Sequence, residues 1–572
     1  MSTEVVAAID IGNATTEVLL GRVTGDRVEV LTSGRRPTRR TKGSTESLAA
    51  AVALVRRLER QHGLRVVEAL AVPLRPVLSS RATVPLPGPD TGRLRVVGQG
   101  AHTAGAPGFG AGSPVLLGDS PGWIGTRVVV VPSRIGYVDA AGLLADDVRG
   151  GRVAAVLVEA DEAVLVANRL PDGPDGPVPV LDEVPVDEVL AADLVAVEVA
   201  PSGHPLRVVT DPLRLAEALD LASAQADLAA LVASQLYDSS HGVVLLGDRA
   251  HAAEVPRGWA SLDGRRVALA DAHAEIRRRE VGKVDGYALP PHETPADVDD
   301  LWTVDLSEVG GRVRARAGSA GTKALGVAGL TAAGAIVDPT AVLSEALGVP
   351  VRVVGTEAEA ARLGALSTPR APDDAVVVDL GGGTIDVVTK EHAVVAAGAG
   401  DLLTLCVAEL TGTTAAAAEH VKRGPSRRAE APQVVLGEDG RRSFLETPIP
   451  SDAIGSLIVG GPAGWLAFGP DLAPSEWRAL RLDLKIDLVG GNITRALRTL
   501  ARDLAGTILL VGGPAADEEV LAAVAGALPS GAAVARGDVG GAFGHRYAVA
   551  YGLLLLAKDL TTLAPRDARG RQ

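Results

Sequence analysis

Two stretches of the chain set a carboxylate beside bare backbone at the end of an apolar strand. "AAIDIGNATTEVLL" (7–20) carries Asp10, Gly12, Asn13, Thr15, Thr16 and Glu17 between apolar runs. "VVVDLGGGTIDVV" (376–388) carries Asp379, Gly381, Gly382, Gly383, Thr384 and Asp386 in the same way. Glycine lets backbone N–H groups approach an anion without a Cβ in the way. Successive amides and hydroxyls can then donate to phosphate oxygens. A carboxylate repels phosphate, so Asp10 and Asp379 make sense beside a hydrated Mg²⁺ or a positioned water. Two such turns facing each other would clamp the β- and γ-phosphates from both sides. One Asp-Gly turn is what any hairpin uses; its repetition is the signal. No G-x-x-x-x-G-K-[ST] run is present, so this is not a P-loop.

A third glycine site lies late in the chain. "TILLVGGPAADEEVLAAVAGAL" (507–528) reads as a buried strand, then Gly512–Gly513–Pro514, then a helix. A glycine pair at the C-terminal end of a strand lets a flat ring or a ribose lie against the backbone. Lys42, in "TKGS", is the nearest candidate cation to the first turn and reads most simply as a surface lysine.

Such turns need buried strands to position them, and the composition supplies them. The chain has 572 residues, too many for one core, so several domains are expected. It is 47% hydrophobic but only 2% aromatic, so its cores must be built from Val, Leu, Ala and Ile, which suits parallel α/β packing. The net charge of −14 argues against a nucleic-acid partner, and Arg35–Arg40 and Arg277–Arg279 read as solvated faces. A single cysteine, Cys406, excludes a disulfide framework, a Cys-ligated zinc site and a protein-held iron–sulfur cluster. No leader pattern or run of about eighteen apolar residues is visible, so no membrane segment is expected and the cytoplasm is the expected location.

Along the chain, strand and helix patterns alternate to about residue 85, with a helix over Glu46–Gly63. A Gly/Pro-rich passage (98–114) then leads to a separate α/β unit. In it, "VAAVLVEADEAVLVANRL" reads as two strands around an acidic turn. Its Asp161 and the later Asp182 are carboxylates at strand ends, able to share a divalent cation with a hydroxyl such as Thr103. Plain solvated turn aspartates fit the spacing as well. Residues 280–300 read as a linker and 421–445 as a charged surface insertion.

The three glycine sites, in this order, resemble the actin-like ATPase superfamily of actin, sugar kinases and heat-shock chaperones. There the two Asp-Gly turns are phosphate loops and the "VGGP" segment is an adenosine loop. "TEAEAARLGAL" (356–366) and "RYAVAYGLLLL" (546–556) look like its two crossing helices, with Ala358, Ala361, Ala548 and Gly552 allowing close contact. The likeness narrows further. "DIGNATTEV", "LVANRLPDGPDGPVPVLDEV", "GAGDLLTLCVAELTG", "ETPIP", "NITRALRTL" and "RGDVGG" are similar to the large subunit of diol and glycerol dehydratase-reactivating factors. "GHRYAVA" departs from that family, whose members tend to carry a Pro–Arg–Asn-like run there.

This resemblance implies an actin/heat-shock-chaperone-like duplicated ATPase fold of the α/β class with an inserted swivelling α/β domain. The implied division is 1–87, 300–420 and 446–572 for the ATPase, 88–260 for the swivelling domain, 261–299 as linker and 421–445 as surface insertion. It implies an ATPase that uses ATP, ADP and Mg²⁺, with Asp10 and Asp379 catalytic. Gly12, Asn13, Thr15, Thr16, Gly381–Gly383, Thr384, Gly512 and Gly513 would hold the nucleotide. A second cation would sit at Thr103, Asp161 and Asp182, near a small partner subunit. The implied task is release of damaged cobalamin from an inactivated adenosylcobalamin-dependent diol or glycerol dehydratase, by two large and two small subunits. The expected location is cytoplasmic, with a bacterial microcompartment as a candidate association. The alternatives are a small-molecule kinase and a nucleotide-dependent scaffold of the same superfamily.

Overall fold

The computed structural model describes residues 4–24, 27–75, 77–85, 92–100, 105–118, 123–201, 204–222, 225–237, 239–247, 258–289, 298–309, 324–332, 337–469, 472–500 and 506–563. Two five-stranded sheets built to one plan dominate it. In the first, Val5–Ile11 pairs antiparallel with Thr15–Thr24, which pairs with Arg27–Pro37. On the other side Val66–Ala71 and then Val351–Val353 continue in parallel. In the second, Val376–Leu380, Thr384–Val388 and Ala393–Ala397 form the antiparallel run. Gly506–Gly512 and Ala532–Arg536 form the parallel side. The duplication reaches single residues: Asp10 stands opposite Glu17 as Asp379 stands opposite Asp386.

Burial on both faces explains the continuous Val/Ile/Ala runs. One face of the first sheet packs on the helix Thr45–His62, whose Leu48, Ala51, Leu54, Val55 and Leu58 form the buried stripe. Ser44 caps that helix and Gly63 ends it in the left-handed conformation. The other face packs on the helix Ala548–Leu563. That helix crosses Glu357–Leu366 at the closest distance backbones allow. A Cβ on Gly364 would lie 1.8 Å from the Ala548 carbonyl oxygen, and one on Gly552 1.8 Å from that of Ala360. The two crossing helices expected from the sequence are therefore present, and Gly364 and Ala360 join Ala548 and Gly552 at the contact.

A separate seven-stranded sheet lies between residues 94 and 246. Four strands, Gly108–Leu116, Arg127–Val131, Val153–Val158 and Val180–Leu181, run parallel. Leu194–Val199, His241–Leu246 and Leu94–Gly100 complete it antiparallel. The expected second strand after Val153–Val158 is instead the short helix Ala163–Ala167, whose first amide donates to Asp182 Oδ2 at 2.8 Å.

Two further expectations are corrected. Residues 261–299 are not a plain linker. Trp259–Leu262, Arg265–Ala268 and Gly286–Ala288 form a sheet covered by the helix Leu269–Arg278 around a core of Leu262, Leu269, Ala272, Ile276 and Tyr287. The Pro-rich end of that segment, 290–297, lies outside the described residues. Nor does 421–445 stand by itself as a surface insertion. Arg427–Ala431, Val434–Gly437 and Arg442–Phe444 join Leu457–Gly461 and Gly464–Phe468 in a five-stranded sheet. Its charges are paired: Glu438 takes the fully buried Arg481, and Glu430 takes Arg442. Paired charge on strands reads in sequence like solvated loop.

Candidate active site

The two Asp-Gly turns fold identically and meet. Gly12 N–H donates to Thr15 O at 3.0 Å, and Gly381 N–H to Thr384 O at 2.9 Å. A Cβ on Gly382 would lie 2.9 Å from the Ala14 Cβ, so the second turn presses on the first. Gly512 belongs to the same floor. Its φ is +91°, and a Cβ there would lie 2.3 Å from Asp379 Oδ1. Only glycine fits both demands. The cleft between the sheets is open to solvent on one side and is lined by Asp10, Gly12, Asn13, Thr15, Asp379, Gly381, Gly382, Thr384 and Gly512.

Three expected nucleotide residues stand apart. Thr16 is fully buried and bonds Thr38 Oγ1 at 3.0 Å, because neighbouring residues on a strand point to opposite faces. Gly383 turns its carbonyl to the Gly398 N–H. Gly513 lies under the Arg546 guanidinium, 3.5 Å from where its Cβ would be.

The cleft is crowded with acid. Removal from water raises the Asp10 carboxyl well above the usual carboxylate range, with Glu357 and Glu17 adding to it and Lys42 opposing. Asp379 is raised to about 8 by burial, then by Asp386 and Glu357. Asp386 is raised to about 7 by burial and Glu357, against the pull of Lys42 and the Thr384 hydroxyl. Glu17 is raised by burial, although its Oε2 accepts the Tyr547 N–H at 2.7 Å and caps the crossing helix. Among the described residues, Asp10 Oδ1 and Asn13 Oδ1 are buried without a hydrogen-bond partner.

Orphaned oxygens and carboxyls that cannot all ionise together are what a divalent cation relieves. The residues present fit Mg²⁺, with Asp10 as the side chain best placed to hold it through water.

Sequence reasoning undervalued four groups here. Lys42 is not a surface lysine. It is 4% exposed and donates to Glu357 Oε2 at 2.5 Å. Burial would lower its pKa, but Glu357 and Asp10 hold it above the ordinary value. Glu357 opens a crossing helix and had no motif to mark it. Glu17 and Asp386 could have been found from their identical spacing behind Asp10 and Asp379.

The second cation site does not assemble in the same way. Thr103 lies outside the described residues. Asp161 is exposed, and Asp182 is committed to the Ala163 amide. Among the described residues, those of the first cleft included, no group of three or more His, Cys, Asp or Glu side chains could ligate a metal directly, so a cation in the first cleft would be held through water. Nor is any helix among them long and apolar enough to cross a membrane.

Comparison with known proteins supports this architecture over nearly the whole chain. Residues 292–557 match the diol dehydratase reactivase ATPase-like domain, and 94–250 the swiveling domain of the same reactivating factors. The chain is 29% identical to the propanediol dehydratase-reactivating factor large subunit of Citrobacter freundii, over 96% of this chain and 98% of that one. It is also 29% identical to the diol dehydratase-reactivating factor large subunit of Klebsiella michiganensis, with the same coverage. Among solved structures, a glycerol dehydratase reactivase superposes with a TM-score of 0.72 at 24% identity, covering 97% of this chain and all of that one. A diol dehydratase-reactivating factor in nucleotide-free form superposes with a TM-score of 0.69 at 25% identity over the same share.

Proposed function

The chain belongs to the diol dehydratase reactivase family, and on that premise we propose that it is the large subunit of an ATP-driven reactivating chaperone. Its client is an adenosylcobalamin-dependent diol or glycerol dehydratase that has inactivated itself and retains a damaged cobalamin. Release of that cofactor lets an intact one enter. The observation that carries the reading is the pair of matching Asp-Gly turns pressed together at Gly382 and Ala14, with the Asp10 carboxyl oxygen left unpartnered between them.

The residues divide the work. The amides of Asn13 and Gly382 and the hydroxyls of Thr15 and Thr384 hold the phosphates, while Gly12 and Gly381, whose amides close the two turns, leave room for the anion beside the backbone. Mg²⁺, when bound, neutralises the charge that develops on the transferring phosphoryl group. Asp379 is placed to orient the attacking water, and it can accept a proton once its own carboxyl, raised to about 8, has ionised. Lys42 and Glu357 tie the first sheet to a crossing helix beside these groups. Gly512 borders the nucleoside end. Closure of the two sheets on ATP would alter the seven-stranded unit, which faces a small subunit in a complex of two large and two small chains. We place this complex in the cytoplasm.

The test is reactivation. Glycerol-inactivated dehydratase is mixed with this chain and its small subunit, then given adenosylcobalamin with or without Mg-ATP. ATP-dependent recovery that disappears with Asp10→Asn supports both the chaperone and the phosphate site. Hydrolysis without recovery overturns the client assignment and leaves the ATPase.

A further inference from the structure

The segment "GAGDLLTLCVAELTG" forms the helix Gly400–Thr411, and its place in the fold goes beyond the cleft. Its N-terminal turn carries the second phosphate turn on its backbone. Gly398 N–H donates to Gly383 O at 3.0 Å, Gly400 N–H to Gly381 O at 3.3 Å, and Asp401 N–H to Gly382 O at 2.7 Å. All three carbonyls of the glycine run are therefore held by this one segment. Any shift of Gly381–Gly383 on phosphate binding is a shift of the helix start.

The body of the helix lies on a three-stranded sheet of Asp300–Asp305, Ala324–Ala332 and Val77–Pro85. The packing leaves no slack: a Cβ on Gly326 would lie 2.6 Å from Cys406 Sγ, and one on Gly398 would lie 3.1 Å from both Trp302 and Leu402. Close-packed elements move as units. The start of the helix is also gripped from behind. Buried Asn492 donates to Ala397 O and Gly398 O, and fully buried Asp300 accepts from the Ala397 N–H and from Arg495. The other Asp300 oxygen accepts from Gly282 N–H, in the segment that follows the seven-stranded unit.

The outer strand of that sheet, Val77–Pro85, is the last strand before the seven-stranded unit begins at Leu94. Two polar contacts fasten it to the helix: Arg81 Nη1 to Asp401 Oδ2 at 3.2 Å, and Thr83 Oγ1 to Glu409 Oε2 at 3.1 Å. Asp401 thus holds the phosphate turn with its backbone and the entry strand with its side chain.

We propose that the helix Gly400–Thr411 is a lever that carries the nucleotide state of the second turn to the strand feeding the seven-stranded unit, with Arg81 as the positioning residue that engages it. This rests on the reading of Gly381–Thr384 as a phosphate turn. Arg81 and Asp401 are each about two-fifths exposed. A pair so exposed contributes little to stability, so its removal separates transmission from folding.

The experiment follows backbone hydrogen exchange over Val77–Pro85 and Leu94–Gly100 in the full chain, with and without Mg-ATP, and measures hydrolysis in parallel. The wild-type chain is expected to show a nucleotide-dependent change in both strands. Arg81→Ala is expected to keep its hydrolysis rate while the exchange difference over Leu94–Gly100 shrinks by about fivefold, and Arg81→Lys to restore it. A wild-type-sized difference in Arg81→Ala overturns the lever, as does a wild-type chain whose two strands ignore ATP. Neither readout uses the dehydratase, so a failed reactivation assay with an intact exchange response would count against the client and not the lever.

Discussion

Lys42 Nζ lies 2.5 Å from Glu357 Oε2, although 315 positions separate them in the chain. One end of this ion pair sits in the loop after the first sheet's hairpin, and the other opens a crossing helix. It is the cation that keeps Asp10, Asp386 and Glu357 from facing one another uncompensated.

Lys42→Met should leave that acid cluster without its counter-charge. Hydrolysis is expected to fall by about 10²-fold, the usual cost of losing one aimed electrostatic group. Because Glu357 is 41% exposed, the stability loss should stay near 1–2 kcal/mol, below that of a fully buried pair. Steady-state kinetics and a urea melt measure the two separately.

Asp10→Asn keeps the shape of the first turn and removes its charge. Hydrolysis should drop by about 10²–10³-fold. Calorimetric titration should show Mg²⁺-dependent tightening of ATP binding largely lost, while metal-free nucleotide binding persists.

Cation binding should tighten with pH. Asp379 and Asp386, raised to about 8 and about 7 from 3.8, still hold protons near neutrality that a cation must displace. Without cation, the folded chain binds protons that the unfolded chain has already lost. These two groups therefore lower stability as pH rises from about 4 to about 8. His545, lowered to about 4 by burial and neighbouring arginines, works in the opposite direction, but its contribution is complete by about 6.5. The increase in melting temperature given by saturating Mg²⁺ should grow from about pH 6 to about pH 8. An increase that is flat over this range would count against the acid cluster as the cation site.

Gly552→Ala and Gly364→Ala each drive a Cβ to within 1.8 Å of a carbonyl oxygen on the opposing helix. The helices must separate, and each change should cost about 2–3 kcal/mol. Ordinary helical glycines gain from alanine instead. Denaturant unfolding of the two variants reads the sign directly.

Much of this was legible in the sequence because it is local. Asp10 and Asp379, each followed by glycine and hydroxyls between apolar runs, announced the two matching turns that the fold brings together. The glycine pair at 512–513 and the small residues of the two late helices followed from the same kind of signal. Periodicity and turn chemistry act over a few residues, and a chain displays them in order. What the sequence did not display was which distant charges meet. Lys42 looked solvated until Glu357 arrived from another part of the fold. Thr16 sat inside the motif, yet strand alternation turned it away from the cleft toward Thr38. The charged run at 421–445 looked like a surface insertion because its partners, Arg481 among them, lie far along the chain. Burial of a charge depends on the partner that tertiary packing delivers, and no local pattern encodes that meeting.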